Sequence, residues 1–401
     1  ETDAMFGELY SWYLRNPEYR SRVQKLVQSA FAGKPEDIIS QSVAKALYGE
    51  VSPYSATRLE RFAACAFAHF LQYGMKLTER VEYEFKPMDM GNVMHEALES
   101  FAEEVRKRGM KWTELTEQER NEIADRCLDN IVADYGNTVL KSSARNEYMI
   151  ERTRRILRRT VWALQKQLEQ GEFQPEGFEV TFGGGRIDRV DIMEDQNKVY
   201  VKVIDYKTGN TSFDLVYLYH GLQLQLMIYL DGALRVEQKK YPDKEIIPAG
   251  VFYYNIKDPM IQEKIDADVE AVSAGLMKEL KMNGLVQADP ELVYRMDSSL
   301  GSIPVAFNKD GSFRKNSSVA DRTQFAVLGR YVRTKIEKIR SSILEGDAEV
   351  SPYELGKKNA CTYCPYMTVC GFDRRLSGYE FRRLKNFSDE ELWKAFDREA
   401  E

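Results

Sequence analysis

Asp188 in GRIDRVD, and Asp205 with Lys207 in VIDYKTG, are the residue types that hydrolyse phosphodiesters when a metal ion is at hand. In a strand, residues two apart share a face, so Asp205 and Lys207 project together and Tyr206 points away. Two-residue alternation in RIDRVDIM and KVYVKVIDYK, with the turn-forming EDQN between them, predicts a β-hairpin over 185–207. A turn centred between Asp195 and Gln196 sets residue 188 opposite 203, which puts Asp188 diagonal to Asp205 on the same face. Two carboxylates at that range repel unless a cation lies between them, and a hard divalent ion such as Mg²⁺ is the usual answer. Such an ion polarises a phosphate and lowers the pKa of bound water, while a lysine orients that water or neutralises developing charge. Asp191, three residues on, faces the other side and becomes a ligand only if a bulge intervenes. Taken alone, Asp-x-Lys also describes an ordinary surface ion pair.

Other candidates flank the hairpin. His95 in GNVMHEALESF sits at the edge of a helix face made by Met94, Leu98, Phe101 and Val105, where a histidine is either a ligand or a hydrogen-bonded structural residue. Gln225 and Tyr229 stand four apart in LQLQLMIYL and project from one side of their helix, either toward a substrate or as a plain polar face. Phe213, Tyr217, Tyr219 and Tyr229 are available to stack on unpaired bases or to pack among themselves.

The second constellation is sulfur. ACTYCPYMTVCGFD places Cys361, Cys364 and Cys370 in a C-x2-C-x5-C run, which a bound metal explains better than core packing does. Cys65 in FAACAFAHF is the candidate fourth ligand, and Cys127 falls in register with Ile123 and Ile131 as core. A closed Cys₄ or Cys₃His site, with His69 as the alternative ligand, also suits Zn²⁺, so zinc and iron-sulfur both stand on the residues alone.

These groups need elements to hold them. Helical spacing predicts a lead-in over 1–50, helices over 91–108, 117–135, 145–170, 218–234 and 321–345, and a strand at 250–256; 288–320 reads as irregular, with a turn at Asp310-Gly311. VSPYS at 51–55 is the clearest linker, with Pro53 breaking one helix and Ser55 capping the next. The expected domains are 1–50, a lead-in from a preceding domain; 51–350, the catalytic α/β domain; and 351–401, a tail closing onto it through Cys65. Gly183 to Gly185 enter a strand instead of leaving one, which excludes a dinucleotide loop, and no G-x-x-x-x-G-K-[ST] motif is present.

At 401 residues and 43% hydrophobic content the chain can bury a full core. No stretch approaches the roughly 18 uninterrupted apolar residues of a membrane span, and ETDAMFGELY lacks the order of a signal peptide, so a cytoplasmic location is expected, with no membrane partner. The start without methionine reads as a piece of a longer polypeptide. Five cysteines do not make the framework of a small secreted domain. The net charge of -6 hides two basic runs. Lys141 to Glu169 and Arg314 to Arg340 carry eight basic residues each, against three and two acidic ones, and read either as solvated helix faces or as guides for a DNA backbone.

The order helix with G-x-x-x-H, strand with G-x-I-D, strand with D-Y-K and helix with Q-x-x-x-Y resembles the RecB-like nucleases of the PD-(D/E)xK superfamily, over about residues 52 to 375. That resemblance implies a restriction-endonuclease-like α/β fold, a mixed sheet flanked by helices. It also implies His95, Asp188 and Asp205 as Mg²⁺ ligands, Lys207 as the catalytic lysine, and Gln225 and Tyr229 near the substrate strand. SATRLERFAACAFAHFLQYGMKL, MGNVMHEALE, PAGVFYYNIKDP and the ACTYCPYMTVC tail narrow the likeness to the AddB family. From it follow a 4Fe-4S cluster on Cys65, Cys361, Cys364 and Cys370 and an AddA-type helicase-nuclease subunit as heterodimer partner. The implied activity is exonucleolytic hydrolysis of single-stranded, 5′-ended DNA at broken ends, in recombinational repair. The competing expectations are an inactive, cluster-stabilised module that binds DNA or docks a subunit, and a stand-alone RecB-like exonuclease.

Overall fold

The computed structural model describes residues 2–30, 38–49, 55–79, 87–134, 143–183, 185–261 and 268–400. Most of the expected linker, with Lys141 of the first basic run and Gly184 of the glycine run, lies outside them. The chain opens with α1 (Thr2–Arg15), α2 (Pro17–Ala30) and α3 (Gln41–Tyr48). Ser55 then caps α4 (Ala56–Ala64), its hydroxyl accepting from Arg58 N at 3.4 Å, and the one-turn α5 (Ala66–His69) follows. Next come α6 (Pro87–Lys107), α7 (Glu117–Asp134) and α8 (Ala144–Glu169). On α6 the face of Met94, Leu98, Phe101 and Val105 is buried as its spacing predicts, and it joins Leu128, Leu157 and Leu164 of α7 and α8 in one core.

The sheet is built from β1 (Gln174–Phe182), β2 (Gly185–Asp195), β3 (Lys198–Lys207), β4 (Glu245–Asn255), β5 (Asn283–Gln287) and β6 (Val319–Ala320), side by side in that order. β3 and β4 run parallel, as do β5 and β6, while the other neighbours are antiparallel. This is the expected mixed sheet with helices packed against it. The β3 to β4 crossover is made by α9 (Leu215–Tyr219) and α10 (Gln225–Lys240), which corrects the single helix read over 218–234. Gly221 takes φ +77°, Leu222 N donates to Tyr217 O and Gly221 N to Leu218 O, a Schellman stop that ends α9 and lets α10 restart at Gln225. After β4 come α11 (Val269–Glu279), α12 (Pro290–Met296) and α13 (Arg322–Glu345). α12 stands inside the stretch read as irregular; Asp289 caps it by accepting from Glu291 N and Leu292 N, with Pro290 in its first turn.

Asp191 answers the question of the fallback ligand. The β2–β3 register runs without a bulge from Asp195↔Lys198 to Arg189↔Ile204, so Asp191 stays on the face opposite Asp188. There it is fully buried, held by Arg189 Nε and Nη2 at 2.6 and 2.9 Å and by Lys202 Nζ at 2.9 Å. The Arg189 guanidinium lies 5.6 and 5.8 Å from the rings of Trp112 and Phe178. Burial pushes the Asp191 carboxyl up, but the two cations outweigh it and hold it below the usual carboxylate range. Asp191→Ala therefore strands two buried cations and costs roughly 3–5 kcal/mol, read as a lower denaturant midpoint with an unchanged m-value.

Two compact units result. One comprises Glu1–Glu50, Ala64–Leu77 and Ser341–Lys385; the other Val51–Ala63, Thr78–Arg340 and Asn386–Glu401. The first unit carries a small sheet of β7 (Tyr353–Leu355), β8 (Lys358–Asn359) and β9 (Arg382–Arg383), with the short α14 (Met367–Cys370). The tail thus divides at Lys385, and α15 (Asp389–Ala400) belongs with the large sheet, where Phe396 packs on Tyr219 and Tyr331. No helix among the described residues is long and apolar enough to cross a membrane.

Candidate active site

Asp188 and Asp205 project from the face of β2 and β3 that meets α10. The hairpin turns at Gln196-Asn197 with Asp195 paired to Lys198, two residues off the expected register. An even shift keeps every side chain on its face, so Asp188 stays on the face of Asp205, just past the last pair, Arg189 and Ile204. Tyr206 N donates to Asp188 Oδ2 at 2.7 Å, fixing that carboxylate to the β3 backbone. From α6, His95 Nδ1 comes within 3.3 Å of Asp188 Oδ2.

The third carboxylate there is one that sequence reading missed. Glu179 Oε1 lies 4.0 Å from His95 Nδ1, and one ligand atom from each of His95, Glu179 and Asp188 falls within 4.8 Å of the others. Glu179 adopts φ +49° inside β1, a left-handed conformation that costs energy in a non-glycine residue and is commonest where a side chain must be aimed. It is also paired with Arg186. Nothing in QPEGFEVTF distinguishes Glu179 from a solvent-facing strand residue.

Asp205 stands outside that trio and turns to Lys207, with Nζ 2.6 Å from its Oδ2. Burial first, then the charge of Asp188, push the Asp205 carboxyl up to about 7 against the pull of Lys207. Burial and Asp188 likewise raise Glu179. His95 is pulled down by burial but raised further by the hydrogen bond and charge of Asp188, then by Asp205 and Glu179. Three carboxylates and one imidazole are an oxygen-rich donor set with too much negative charge for its burial, the chemistry that a hard divalent cation satisfies.

The lysine is held as carefully as the acids. Lys207 Nζ donates to Gln225 Oε1 at 2.7 Å, Gln225 Nε2 donates to the Tyr229 hydroxyl at 2.9 Å, and the Tyr253 ring lies 5.3 Å from the ammonium. Gln225 and Tyr229 thus form one chain with Lys207. Glu60 of α4, a second residue missed in the sequence, accepts from Leu224 N and Gln225 N at 2.7 and 2.9 Å. Tyr219 is a packing residue, stacked 5.4 Å from Tyr331 and edge-on to Phe387 at 4.9 Å.

Both basic runs are laced with carboxylates. Arg154 reaches Asp125, Asp129 and Glu151, Arg155 pairs with Asp258 at 2.6 Å, and Arg333 with Asp231 at 2.9 Å. Much of their charge is thereby neutralised within the chain.

The cysteines gather in the other unit. Cys65 is buried with Ala68, Leu71 and Tyr366, and Cys364 packs on the same cluster. Burial, then the charges of Cys65, Cys364 and Cys370, push the Cys361 thiol up to about 11, so the four sulfurs share one neighbourhood. Burial also raises Cys65, against backbone N–H groups of Ala68, Ser351 and Phe67. His69 lies between the rings of Tyr48 and Tyr73, each 5.2 Å away. Cys127 is core, as its register predicts.

Compared with known proteins, the chain matches the family described as the PD-(D/E)XK nuclease superfamily over residues 53–371. It is 41% identical to the B-type subunit of an ATP-dependent helicase/deoxyribonuclease of Lachnoclostridium phytofermentans, with 100% of this chain and 36% of that protein covered. Proteins of the same name from Thermoanaerobacter sp. and Clostridium acetobutylicum are 34% and 33% identical, covering 99% and 100% of the chain and 37% and 36% of their own length. The chain spans about a third of the length of these relatives.

Proposed function

This chain belongs to the PD-(D/E)XK nuclease superfamily, and from that premise we propose that it is the Mg²⁺-dependent deoxyribonuclease module of a helicase-nuclease, cutting single-stranded, 5′-ended DNA. The observation that carries the reading is the grouping of His95, Asp188 and Glu179 ligand atoms within 4.8 Å of one another, with the Asp205 carboxylate and a fixed Lys207 alongside. Asp188, Asp205 and His95 would hold Mg²⁺, with Glu179 the nearest competing carboxylate. A bound Mg²⁺ supplies Lewis-acid polarisation of the phosphate and a lower pKa for water. Lys207, its Nζ 2.6 Å from Asp205 Oδ2, would direct an N–H toward the attacking water or the phosphate oxygen. Gln225 and Tyr229 hold that ammonium in place.

On the same reading Cys65, Cys361, Cys364 and Cys370 bind a 4Fe-4S cluster that staples their unit and does no chemistry on DNA. The likeness of one distant cysteine plus a C-x2-C-x5-C run to the AddB family supports that cluster over zinc. The relatives' name, which joins helicase and deoxyribonuclease in one enzyme of more than one subunit, supports an AddA-type partner; a role in processing double-strand breaks is part of the same proposal.

Labelled single-stranded DNA incubated with the chain in Mg²⁺ and in EDTA tests the reading: cleavage in Mg²⁺ alone supports it, and no cleavage in either, or equal cleavage in both, rejects it. Lys207→Ala is expected to lower kcat by about 100- to 1,000-fold while Mg²⁺ affinity, measured by calorimetry, stays unchanged. A matching loss of Mg²⁺ affinity would assign Lys207 to holding the site together instead.

A further inference from the structure

We propose that Glu60 is a positioning residue of the nuclease site: from α4 it caps the start of α10 and so holds Gln225 against the Lys207 ammonium. The inference rests on the nuclease reading above.

A helix start leaves backbone N–H groups without partners, and a Ser, Thr, Asp or Asn at the cap normally supplies an acceptor. At α10 the cap position is Leu224, which has none. The Schellman stop at Gly221 leaves only Leu222, Gln223 and Leu224 before the helix restarts, and Gln223 is engaged elsewhere, its amide bridging Asp214 N and Ser212 O. The acceptor therefore comes from another helix: Glu60 Oε1 takes both Leu224 N at 2.7 Å and Gln225 N at 2.9 Å.

The residue anchored in this way is the one that touches the lysine. Gln225 offers Oε1 to Lys207 Nζ at 2.7 Å and commits Nε2 to the Tyr229 hydroxyl at 2.9 Å, which fixes which end of its amide faces the ammonium. Lys207 Nζ in turn stands 2.6 Å from Asp205 Oδ2. The path from Glu60 to the reacting groups is continuous: carboxylate to Gln225 backbone, Gln225 amide to Lys207, Lys207 to Asp205. Released from the cap, Gln225 shifts and Lys207 Nζ loses the second acceptor that fixes its direction, so its remaining N–H is no longer aimed at substrate. Burial pushes the Glu60 carboxyl up to about 7, against the pull of the two backbone N–H groups and Lys207 and with the push of Asp205. Protonation leaves Oε1 free to accept both bonds, so glutamine at this position preserves the contact.

The test compares the intact chain with Glu60→Gln, Glu60→Asp and Glu60→Ala on single-stranded DNA in Mg²⁺, alongside hydrogen exchange at the Leu224 and Gln225 amides. Alanine removes the acceptor and aspartate withdraws it by one methylene. Both are expected to lower kcat by roughly 10- to 100-fold, with KM within about threefold of the parent, and to speed exchange at the two amides. Glu60→Gln is expected to restore kcat and exchange protection together. Parental kcat in Glu60→Asp or Glu60→Ala with the amides exposed reduces Glu60 to a structural cap and overturns the proposal. Unchanged exchange in both variants overturns it as well. Failure of the parent itself to cleave defeats the nuclease reading instead, and is told apart because the exchange result does not depend on activity.

Discussion

Asp205→Ala abolishes Mg²⁺-dependent cleavage, by at least about 10,000-fold, and leaves the fold standing. Two effects make this the largest change in activity that a single residue gives. The carboxylate sits on β3, the third of six strands, 1% exposed, and shares the site with the charge of Asp188. It is also the partner that keeps Lys207 at the site, 2.6 Å away. Stability moves the other way. The Asp205 carboxyl titrates at about 7 in the folded chain against an ordinary 3.8, so between those values the folded state binds more protons than the unfolded one. Its contribution to stability is therefore greatest below about 4 and is lost as pH rises through 7. Metal-free parent protein should lose melting temperature across that window, and Asp205→Ala should flatten the slope. Added Mg²⁺ should restore the parent at pH 8 and leave the variant unmoved. A variant that unfolds, or that keeps cutting, contradicts the assignment.

Cys65→Ser is expected to abolish binding of the proposed cluster and to destabilise the unit that carries the four cysteines. Cys65 is the buried sulfur of the four and the one far from the others in sequence, so it ties Ala64–Leu77 to Ser341–Lys385. Binding energy at such a site is folding energy, because the unfolded chain cannot assemble the ligands. A loss of about 3 kcal/mol in a unit of this size lowers its melting temperature by roughly 10–20 °C. Visible absorbance at about 400 nm should vanish from the purified variant, while Cys127→Ser, in the core of the other unit, should keep it. Stoichiometric zinc and no iron in the parent would reject the cluster and keep the staple.

Much of the candidate site's face was legible because strands write their faces in a period of two. The hairpin turn was misplaced by one residue and the register by two, since EDQN offers more than one two-residue turn, yet an even slip cannot change which side chains share a face. The same rule kept Asp191 off the catalytic face, where it has become the centre of a buried ion triad. Glu179 and Glu60 were illegible for a different reason. Glu179 owes its aim to a left-handed backbone inside a strand, and Glu60 to a helix that meets α10 only in three dimensions. Neither contact leaves a periodic mark. The break between α9 and α10 was missed because apolar spacing continues across it, while the decisive signal, Gly221 in a left-handed conformation, is a single residue. The division of the tail is likewise a matter of packing, since the burial of Leu392 and Phe396 follows from their helix and not from the cysteines upstream.

The most direct test is to locate the ion. Mn²⁺ substitutes for Mg²⁺ at oxygen-rich sites, and an anomalous-difference map from crystals grown in it marks the position without reference to activity. One peak within about 2.0–2.3 Å of carboxylate oxygens of both Asp188 and Asp205 and of a His95 nitrogen is the predicted result. A peak held by Glu179, Asp188 and His95 with Asp205 left on Lys207, or no peak at saturating Mn²⁺, would contradict it.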